Sequence, residues 1–203
     1  MHISLMKKFI SLLFAITIVP MLSGCLGVFL GVAATTGVVA SKESTIGTQV
    51  DDTALYWKIK GLYLDKNAQD LLAGVNVKVV ERRVTLTGRV RNADTSVDAV
   101  RLAWQPDGVK DVINEIQIVE EPILKEILKS KWIKTQAVAK ITATKNVRSL
   151  NYSIEVVNGI VYLMGIAQDI DELNTVTTQI STIKGVEKVV SHVRVKNDPS
   201  REQ

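Results

Sequence analysis

Residues 152–165, YSIEVVNGIVYLMG, contain the clearest structural signal in the chain. Two runs rich in apolar and β-branched residues, 152–157 and 160–166, flank the dipeptide Asn158-Gly159. Asn-Gly is the preferred sequence of a two-residue hairpin turn, because both turn positions need a positive φ. This stretch therefore predicts a β-hairpin.

The same pattern occurs a second time, 77 residues earlier in the chain. An ungapped match that keeps its register through two strands and two glycines is not expected by chance, so the chain contains two copies of one small domain. The identical pairs are Val79/Val156, Val80/Val157, Val84/Val161, Leu86/Leu163, Gly88/Gly165, Asp94/Asp171, Gly108/Gly185, Val109/Val186 and Val112/Val189.

Each copy shows the same order of predicted elements. A helix comes first, and in copy one its apolar residues Leu55, Ile59 and Leu62 have helical spacing. The hairpin follows, then a second helix near 93–105 or 169–183, and then an alternating strand. The order α-β-β-α-β predicts an α+β fold in which two helices pack on one face of a three-stranded mixed sheet. The predicted hairpin strands are 75–80 with 83–90, and 152–157 with 160–166.

The two copies differ at the hairpin turn. Copy one has Glu81-Arg82 where copy two has Asn158-Gly159, so its turn is predicted to be longer or looser. Further along, Gly108 and its equivalent in copy two, Gly185, are predicted to end the second helices as C′ residues.

The N-terminus has the features of a secretory signal peptide. Lys7 and Lys8 precede a largely apolar run, which as a helix would span about 21 Å. That length is short of the roughly 30 Å hydrocarbon core of a bilayer. Residues 1–24 are therefore predicted to be a cleaved signal, with translation starting at Met1 or Met6.

The sole cysteine follows this signal. Leu22-Ser23-Gly24-Cys25 resembles the bacterial lipobox, in which the cysteine is acylated and becomes the mature N-terminus. Several acyl chains give stable anchoring, since each buried CH₂ contributes about 0.8 kcal/mol. Cys25 is followed by Leu26 rather than by the Asp of inner-membrane retention, which by that resemblance favours the periplasmic face of the outer membrane.

The sequence thus divides into five predicted parts. The stem is rich in small residues, and it is either a membrane-hugging segment or a flexible tether. The parts are a lipoprotein signal (1–24), a lipidated N-terminus and stem (25–47), a first domain (48–120), a second domain (121–197) and a tail (198–203).

The repeated motifs resemble those of BON domains, through Asn158–Gly165 and Gly185–Val189. With the lipobox, the stem and the string Gly47–Asp52, the two copies resemble the dual-BON outer-membrane lipoproteins of Gram-negative bacteria. The resemblance implies a non-enzymatic envelope protein that binds anionic phospholipid, such as phosphatidylglycerol or cardiolipin, mainly through the first helix of the second domain. It also implies a role in outer-membrane integrity, with outer-membrane assembly or division-site proteins as partners.

Charge differs between the copies in the direction that this resemblance implies. Residues 48–120 hold 10 basic and 11 acidic residues, whereas residues 121–203 hold 12 and 9. The excess lies in 123–148, where Glu126 is the one acidic residue. The basic residues of that stretch are Lys125, Lys129, Lys131, Lys134, Lys140, Lys145 and Arg148.

If this stretch is helical, Ile133, Ala137 and Ile141 share the core stripe, with Ile127 and Val138 at its edge. Tryptophan 132 then points nearly opposite, and an outward indole among lysines fits an anionic lipid interface. Two alternatives remain open: a solvated basic face with this indole packed between the domains, and a protein-binding adaptor. The candidate lipid-binding residues are Trp132, Lys125, Leu128, Lys129, Lys131 and Lys134.

The remaining residues offer little for catalysis. One cysteine and two histidines are too few for a Cys- or His-based metal site, and no nucleophile or phosphate-loop motif is present, so we expect no enzyme, cofactor or metal. The export signal and the lack of aromatic platforms argue against nucleic acid. We expect His192 to face solvent, Trp57 to pack between the domains or contact a partner, and Trp104 to lie in the core or to plug a helix end.

Overall fold

A computed structural model describes residues 45–65, 69–121 and 124–201 of the chain. The predicted signal peptide, the lipobox with Cys25 and the stem up to residue 44 lie outside the described residues.

The first domain contains the predicted elements and one short helix, α2, that the sequence did not predict. α2 follows the long first helix and leads directly into the first strand. The elements are α1 (Ile46–Asp65), α2 (Gln69–Gly74), β1 (Val75–Val80), β2 (Arg83–Val90), α3 (Ala93–Ala103) and β3 (Asp111–Ile118).

The second domain repeats this order, with a short 3₁₀ turn (Ser149–Asn151) before its first strand. Asp169 caps the second helix by accepting a hydrogen bond from the Glu172 amide, as expected for a carboxylate at a helix N-terminus. The elements are α4 (Leu124–Ala143), β4 (Tyr152–Val157), β5 (Ile160–Ala167), α5 (Ile170–Ser181) and β6 (Lys188–Val195), with a terminal 3₁₀ turn at Pro199–Arg201.

Each sheet is mixed, which confirms the predicted α+β architecture. β2 lies in the centre, antiparallel to β1 and parallel to β3, and β5 has the same position between β4 and β6. The helices α3 and α5 form the crossovers that parallel neighbours require. Alternate residues of every strand therefore face the helices, and the others face away from them.

Each domain has its own hydrophobic core on the helix side of its sheet. In the first, Ile59 and Tyr63 of α1 pack with Leu86 of the central strand. In the second, Ile133 of α4 packs with Leu163 of β5 in the same way. Both cores belong to one compact unit that begins at Lys42.

The prediction of a longer turn in the first hairpin was wrong. Glu81 and Arg82 form a two-residue turn with φ values of 52° and 64°, like Asn158-Gly159 at 48° and 79°. The carboxylate of Asp52 on α1 stabilises this turn by accepting hydrogen bonds from both turn amides, at 2.8 and 2.7 Å. The stabilising residue lies outside the hairpin, so the local sequence did not reveal it.

The prediction that Gly108 and Gly185 are C′ residues was also wrong. α3 ends at Ala103 with Trp104 as its C-cap, and α5 ends at Ser181, so both glycines lie in the following loops. Their φ values of 101° and 89° are positive, as glycine permits, but they serve loop turns that lead into the last strands.

The faces of the two sheets that point away from the helices pack against each other. The face of the first sheet is largely polar and buries Thr85 and Thr87. The face of the second is apolar and buries Tyr162 and Met164. Gln117 of the first domain donates a hydrogen bond to the Tyr162 hydroxyl at 3.2 Å. The molecule therefore has four layers: helices, sheet, sheet and helices.

Reciprocal contacts show that an approximate two-fold axis relates the domains. A carboxylate oxygen of Glu81 lies 3.8 Å from a guanidinium nitrogen of Arg194. The side-chain amide of Asn158 donates a hydrogen bond to the side-chain oxygen of Gln117 at 2.7 Å. Asn158 is equivalent to Glu81, and Arg194 to Gln117, so the second contact is the first with the domains exchanged. Such reciprocity defines an isologous interface.

The expectation that His192 faces solvent was wrong. Its Nε2 atom lies 2.9 Å from Oε1 of Glu115 across the interface between the sheets. These two residues are themselves equivalent in the repeat, so they meet at the approximate two-fold axis. An alternating strand indicates which residues share a face, and it does not reveal that a second sheet covers that face.

Candidate functional site

α4 is anchored to its sheet along one side and leaves the opposite side exposed. Ser130, Ile133, Ala137 and Ile141 are buried at helical spacing. This packing fixes the rotation of the helix, because each buried residue is one turn from the next.

The outer face carries large apolar side chains among lysines. Trp132 is 48% exposed and Leu128 is 57% exposed. Leu124 and Lys125 continue the exposed face at the N-terminal end of α4. The alternative in which Trp132 packs between the domains is therefore wrong, because the indole lies on the outer layer, away from the sheet interface.

Two of the candidate lysines are already in ion pairs. The ammonium of Lys129 lies 3.1 Å from Glu187 and 3.8 Å from Glu126. The hydrogen bond to Glu187 raises the pKa of the Lys129 ammonium. The ammonium of Lys134 lies 2.8 Å from Glu155 on β4. These carboxylates neutralise part of the positive charge that the sequence assigns to the helix.

The other two lysines are exposed on different sides of the helix. Lys125 lies on the stripe of Trp132, whereas Lys131 lies about 100° round the helix axis from it. Within the part of the chain that the structure describes, neither enters an ion pair. The six candidate residues therefore do not form one patch: Trp132, Leu128, Lys125 and Lys129 share the outer face, whereas Lys131 and Lys134 lie together on the side of α4 that is turned toward the first domain.

Val138 was predicted at the edge of the core stripe, and this was wrong. Its side chain is exposed and lines a shallow groove beside Ala139 and Thr142 on the outside of α4. The buried stripe is centred between Ile133 and Ala137, which turns Val138 outward.

A cleft of about 480 Å³ separates α4 from the first domain. Arg89, Arg91, Lys131 and Lys134 contribute positive charge to it, and Asp70 and Glu155 contribute negative charge. The sequence did not predict this cleft, because its two walls are distant in the chain and only the packing of the sheets brings them together.

Arg89 holds α4 against the first domain. Its guanidinium donates to the side-chain oxygen of Asn158 at 2.8 Å and to the Ser130 hydroxyl at 2.9 Å. Burial lowers the pKa of this guanidinium. The two bonds orient the helix relative to both sheets.

For each of the other two tryptophans the structure excludes one of the two predicted alternatives. Trp57 is not packed between the domains: it lies on the outer face of α1, where its ring contacts that of Tyr56 edge-on at 5.0 Å between centroids. Trp104 is the C-cap of α3, as a helix-end position suggested, but its side chain is exposed rather than in the core.

None of the helices in the three described ranges is both long and apolar enough to cross a bilayer. Within the same ranges, no group of three or more His, Cys, Asp and Glu side chains is arranged to hold a metal ion.

The chain matches the BON domain family at residues 52–120 and 129–197. It is 32% identical to "Outer membrane lipoprotein DolP" of Haemophilus influenzae over 94% of this chain and 96% of that protein. A protein of Anaplasma centrale, named "Uncharacterized protein in gshII 5'region", is 41% identical over 75% of this chain and 99% of that protein.

A third relative is "21 kDa hemolysin" of Actinobacillus pleuropneumoniae, which is 30% identical over 73% of this chain and 77% of that protein. The identical pairs of the repeat, which run from Val79 to Val112 and from Val156 to Val189, fall within the two matched segments. The chain therefore belongs to the BON-domain family, as a two-domain member similar to DolP.

Proposed function

We propose that this chain is an outer-membrane lipoprotein, anchored by an acylated Cys25 and facing the periplasm, that binds anionic phospholipid through α4. The observation that carries the proposal is the outer face of α4, where Trp132 and Leu128 are exposed beside lysines. The name of the Haemophilus influenzae relative, an outer membrane lipoprotein, supports the location. The activity proposed is binding in support of outer-membrane integrity, without a catalytic step.

The physical chemistry of α4 suits the surface of a bilayer. An indole is stable among lipid headgroups, where its ring is apolar and its N–H finds acceptors. Each lysine close to an anionic surface contributes about 1 kcal/mol, and salt weakens this attraction. The outer side of the helix also has small residues, Ala139 and Ala143, so the helix lies shallowly in the headgroup region.

The lysines contribute unequally in this proposal. Lys125 and Lys131 are exposed and can approach headgroup phosphates directly. Lys129 and Lys134 must first give up Glu187 and Glu155, so their net contributions are smaller. Arg91, in the cleft beside Lys131, adds a cation that the sequence did not indicate.

Because the protein is attached at two points in this proposal, α4 does not need a high lipid affinity of its own. The acyl chains of Cys25 hold the domains close to the membrane, which gives α4 a high effective concentration of lipid. The acyl anchor then supplies most of the affinity, and α4 supplies the preference for anionic headgroups.

The decisive experiment is co-sedimentation of residues 42–203 with vesicles. This segment contains both complete cores and lacks the anchor, so binding reports on the domains alone. Vesicles of phosphatidylglycerol or cardiolipin are compared with vesicles of phosphatidylcholine, at low and at high salt. The variants are Trp132→Ala and, as a matched control, Trp104→Ala, whose side chain is equally exposed but lies on another helix.

We expect salt-sensitive binding to anionic vesicles that Trp132→Ala weakens about tenfold or more and that Trp104→Ala leaves unchanged. Absence of binding to any vesicle would reject the lipid function. Capture of one protein partner through α4 without lipid binding would identify a protein-binding adaptor instead.

A further inference from the structure

The outer face of α1 carries a regular row of exposed apolar side chains. Val50, Trp57 and Leu64 are 62%, 65% and 60% exposed. They are seven residues apart, so they lie almost directly above one another along the helix. The opposite side of α1, with Leu55, Ile59 and Tyr63, is buried in the core, which leaves the row uncovered by the part of the chain that the structure describes.

Small residues occupy the neighbouring positions of the same face. Gly47, Ala54 and Gly61 are also seven residues apart and precede the three large residues by three positions. A Cβ atom added at either glycine would meet no atom within 4 Å, so the space beside the row is open. The two rows alternate at spacings of three and four residues, which is the heptad repeat along which two helices pack, and the small residues leave room for a close approach.

We propose that these two rows form a seam that binds α1 of a second copy of this chain as a parallel helix pair. The large residues of one copy, at heptad position d, enter the spaces beside the small residues of the other, at position a. The inference concerns the first domain and does not depend on lipid binding by α4.

The charges that flank the seam favour a parallel pair. In a parallel coiled coil each g residue faces the e residue five positions later in the other helix. Here Lys60 faces Asp65 of the second copy, and symmetry gives this attractive pair twice. In an antiparallel pair, Asp51 approaches Asp65 of the second copy and Lys58 approaches itself, so like charges meet.

The same charges argue against a lipid surface as the occupant. α1 carries two lysines and three aspartates, so an anionic bilayer would not attract it. α1 also lies in the outer layer opposite α4, with both sheets between them. A parallel pair leaves the two N-termini at the same end, and each has some twenty residues between Cys25 and the start of the described chain.

Cysteine cross-linking tests both the contact and its direction. Cys25 is the sole cysteine, so residues 42–203 contain none, and Val50→Cys or Leu64→Cys introduces one thiol on the seam. We expect each variant alone to form a disulfide-linked dimer, because equivalent d residues meet in a parallel pair. The matched control is Val97→Cys, which is also exposed but lies on α3, and it should not cross-link above background.

Sedimentation equilibrium of the unmodified segment provides the affinity. A seam of three heptads should give a dissociation constant on the order of 10 to 100 µM. Trp57→Glu should raise this constant at least tenfold without changing the thermal midpoint, because the side chain is exposed.

Two results would overturn the inference. Cross-linking of Val50→Cys with Leu64→Cys in a mixture, but of neither alone, would reject the parallel arrangement. Cross-linking no stronger than that of Val97→Cys, with a monomer at every concentration, would reject self-association through α1.

Discussion

α1 and α4 occupy the same position in the two domains, yet their outer faces have different chemistry. α1 has two lysines and three aspartates, whereas α4 has five lysines and one glutamate. Both bury one stripe against a sheet of the same topology. The fold therefore constrains only the inner stripe, and each outer face is free to serve a different partner.

One pair of equivalent residues explains part of this divergence. The buried stripes of the two helices, Leu55–Tyr63 and Ile133–Ile141, are 78 residues apart, so Asp52 of α1 corresponds to Ser130 of α4. Asp52 stabilises the strained turn at Glu81-Arg82, where two non-glycine residues have positive φ. The turn at Asn158-Gly159 does not need this support, so the equivalent position in α4 can carry a serine, whose hydroxyl accepts a hydrogen bond from Arg89 instead. The turn sequence thus decides whether this helix position needs a carboxylate.

The largest expected effect tests what the two domains share. Gly88 and Gly165 have φ values of 126° and 137°, and a Cβ atom would collide with the carbonyl oxygen of Gly74 or of Asn151. We expect Gly88→Ala and Gly165→Ala each to lower the free energy of unfolding by at least about 4 kcal/mol, measured by urea denaturation. As control, Gly61→Ala, in open space on α1, should be neutral or stabilising. An unchanged free energy of unfolding for one of the two variants would contradict the structural equivalence of the domains.

A charge reversal tests how the two outer faces differ. Lys125→Glu replaces an attractive charge by a repulsive one, which should cost about 2 kcal/mol, or about thirtyfold in affinity for phosphatidylglycerol vesicles. Lys129→Ala should have a smaller effect, because Glu187 already pairs with this lysine. The matched control on the other helix is Lys58→Glu of α1, which should not change vesicle binding. Equal losses for Lys125→Glu and Lys58→Glu would contradict a specific role of α4.

Removal of Asp52 tests the supported turn. Asp52→Ala leaves the amides of Glu81 and Arg82 without their acceptor, so the free energy of unfolding should fall by about 1 to 2 kcal/mol. Ser130→Ala, at the equivalent position, should cost less, because its hydroxyl accepts a hydrogen bond from Arg89 and the Asn158-Gly159 turn contains the glycine that its φ values favour. Both are measured by urea denaturation at neutral pH, and equal costs would mean that the two turns need the same support.

The smallest expected effect is on the pH dependence of stability. Burial raises the pKa of the Tyr63 phenol above its ordinary value of 10.0. The contribution of this group to stability is therefore complete below pH 10 and decreases as the pH rises further. Tyr63→Phe should lower the urea midpoint at pH 8, because the bond to the Ala99 carbonyl is lost, but should reduce the further fall between pH 10 and pH 11. An unchanged pH dependence in the variant would show that Tyr63 is not the group responsible.

Much of the fold could be predicted from the sequence because its signals are local. The bounds of β1, β2 and β4 follow from strand alternation and turn residues, and they agree to the residue. The outward direction of Trp132 follows from helical spacing to Ile133 and Ala137. Each of these predictions needs only residues within one or two turns of the chain.

The predictions that failed concern features that depend on contacts between residues distant in the chain. His192 is covered by Glu115 of the other domain, and the turn at Glu81-Arg82 is supported by Asp52. The ion pair between Lys134 and Glu155 likewise cannot be predicted without knowing how α4 packs on its sheet. Composition assigned charge to α4, but only the packing shows which of its lysines remain available.

The reciprocal contacts across the two sheets bear on how the two outer helix layers of this molecule came to differ. Two identical copies of a single domain, joined by the same interface, would have to carry the same helix on both outer layers, because two-fold symmetry repeats every residue. Joining the copies in one chain removes that requirement, since each can mutate independently. The duplication thus gives the molecule two outer layers of different chemistry, so that it can bind a surface in one defined orientation.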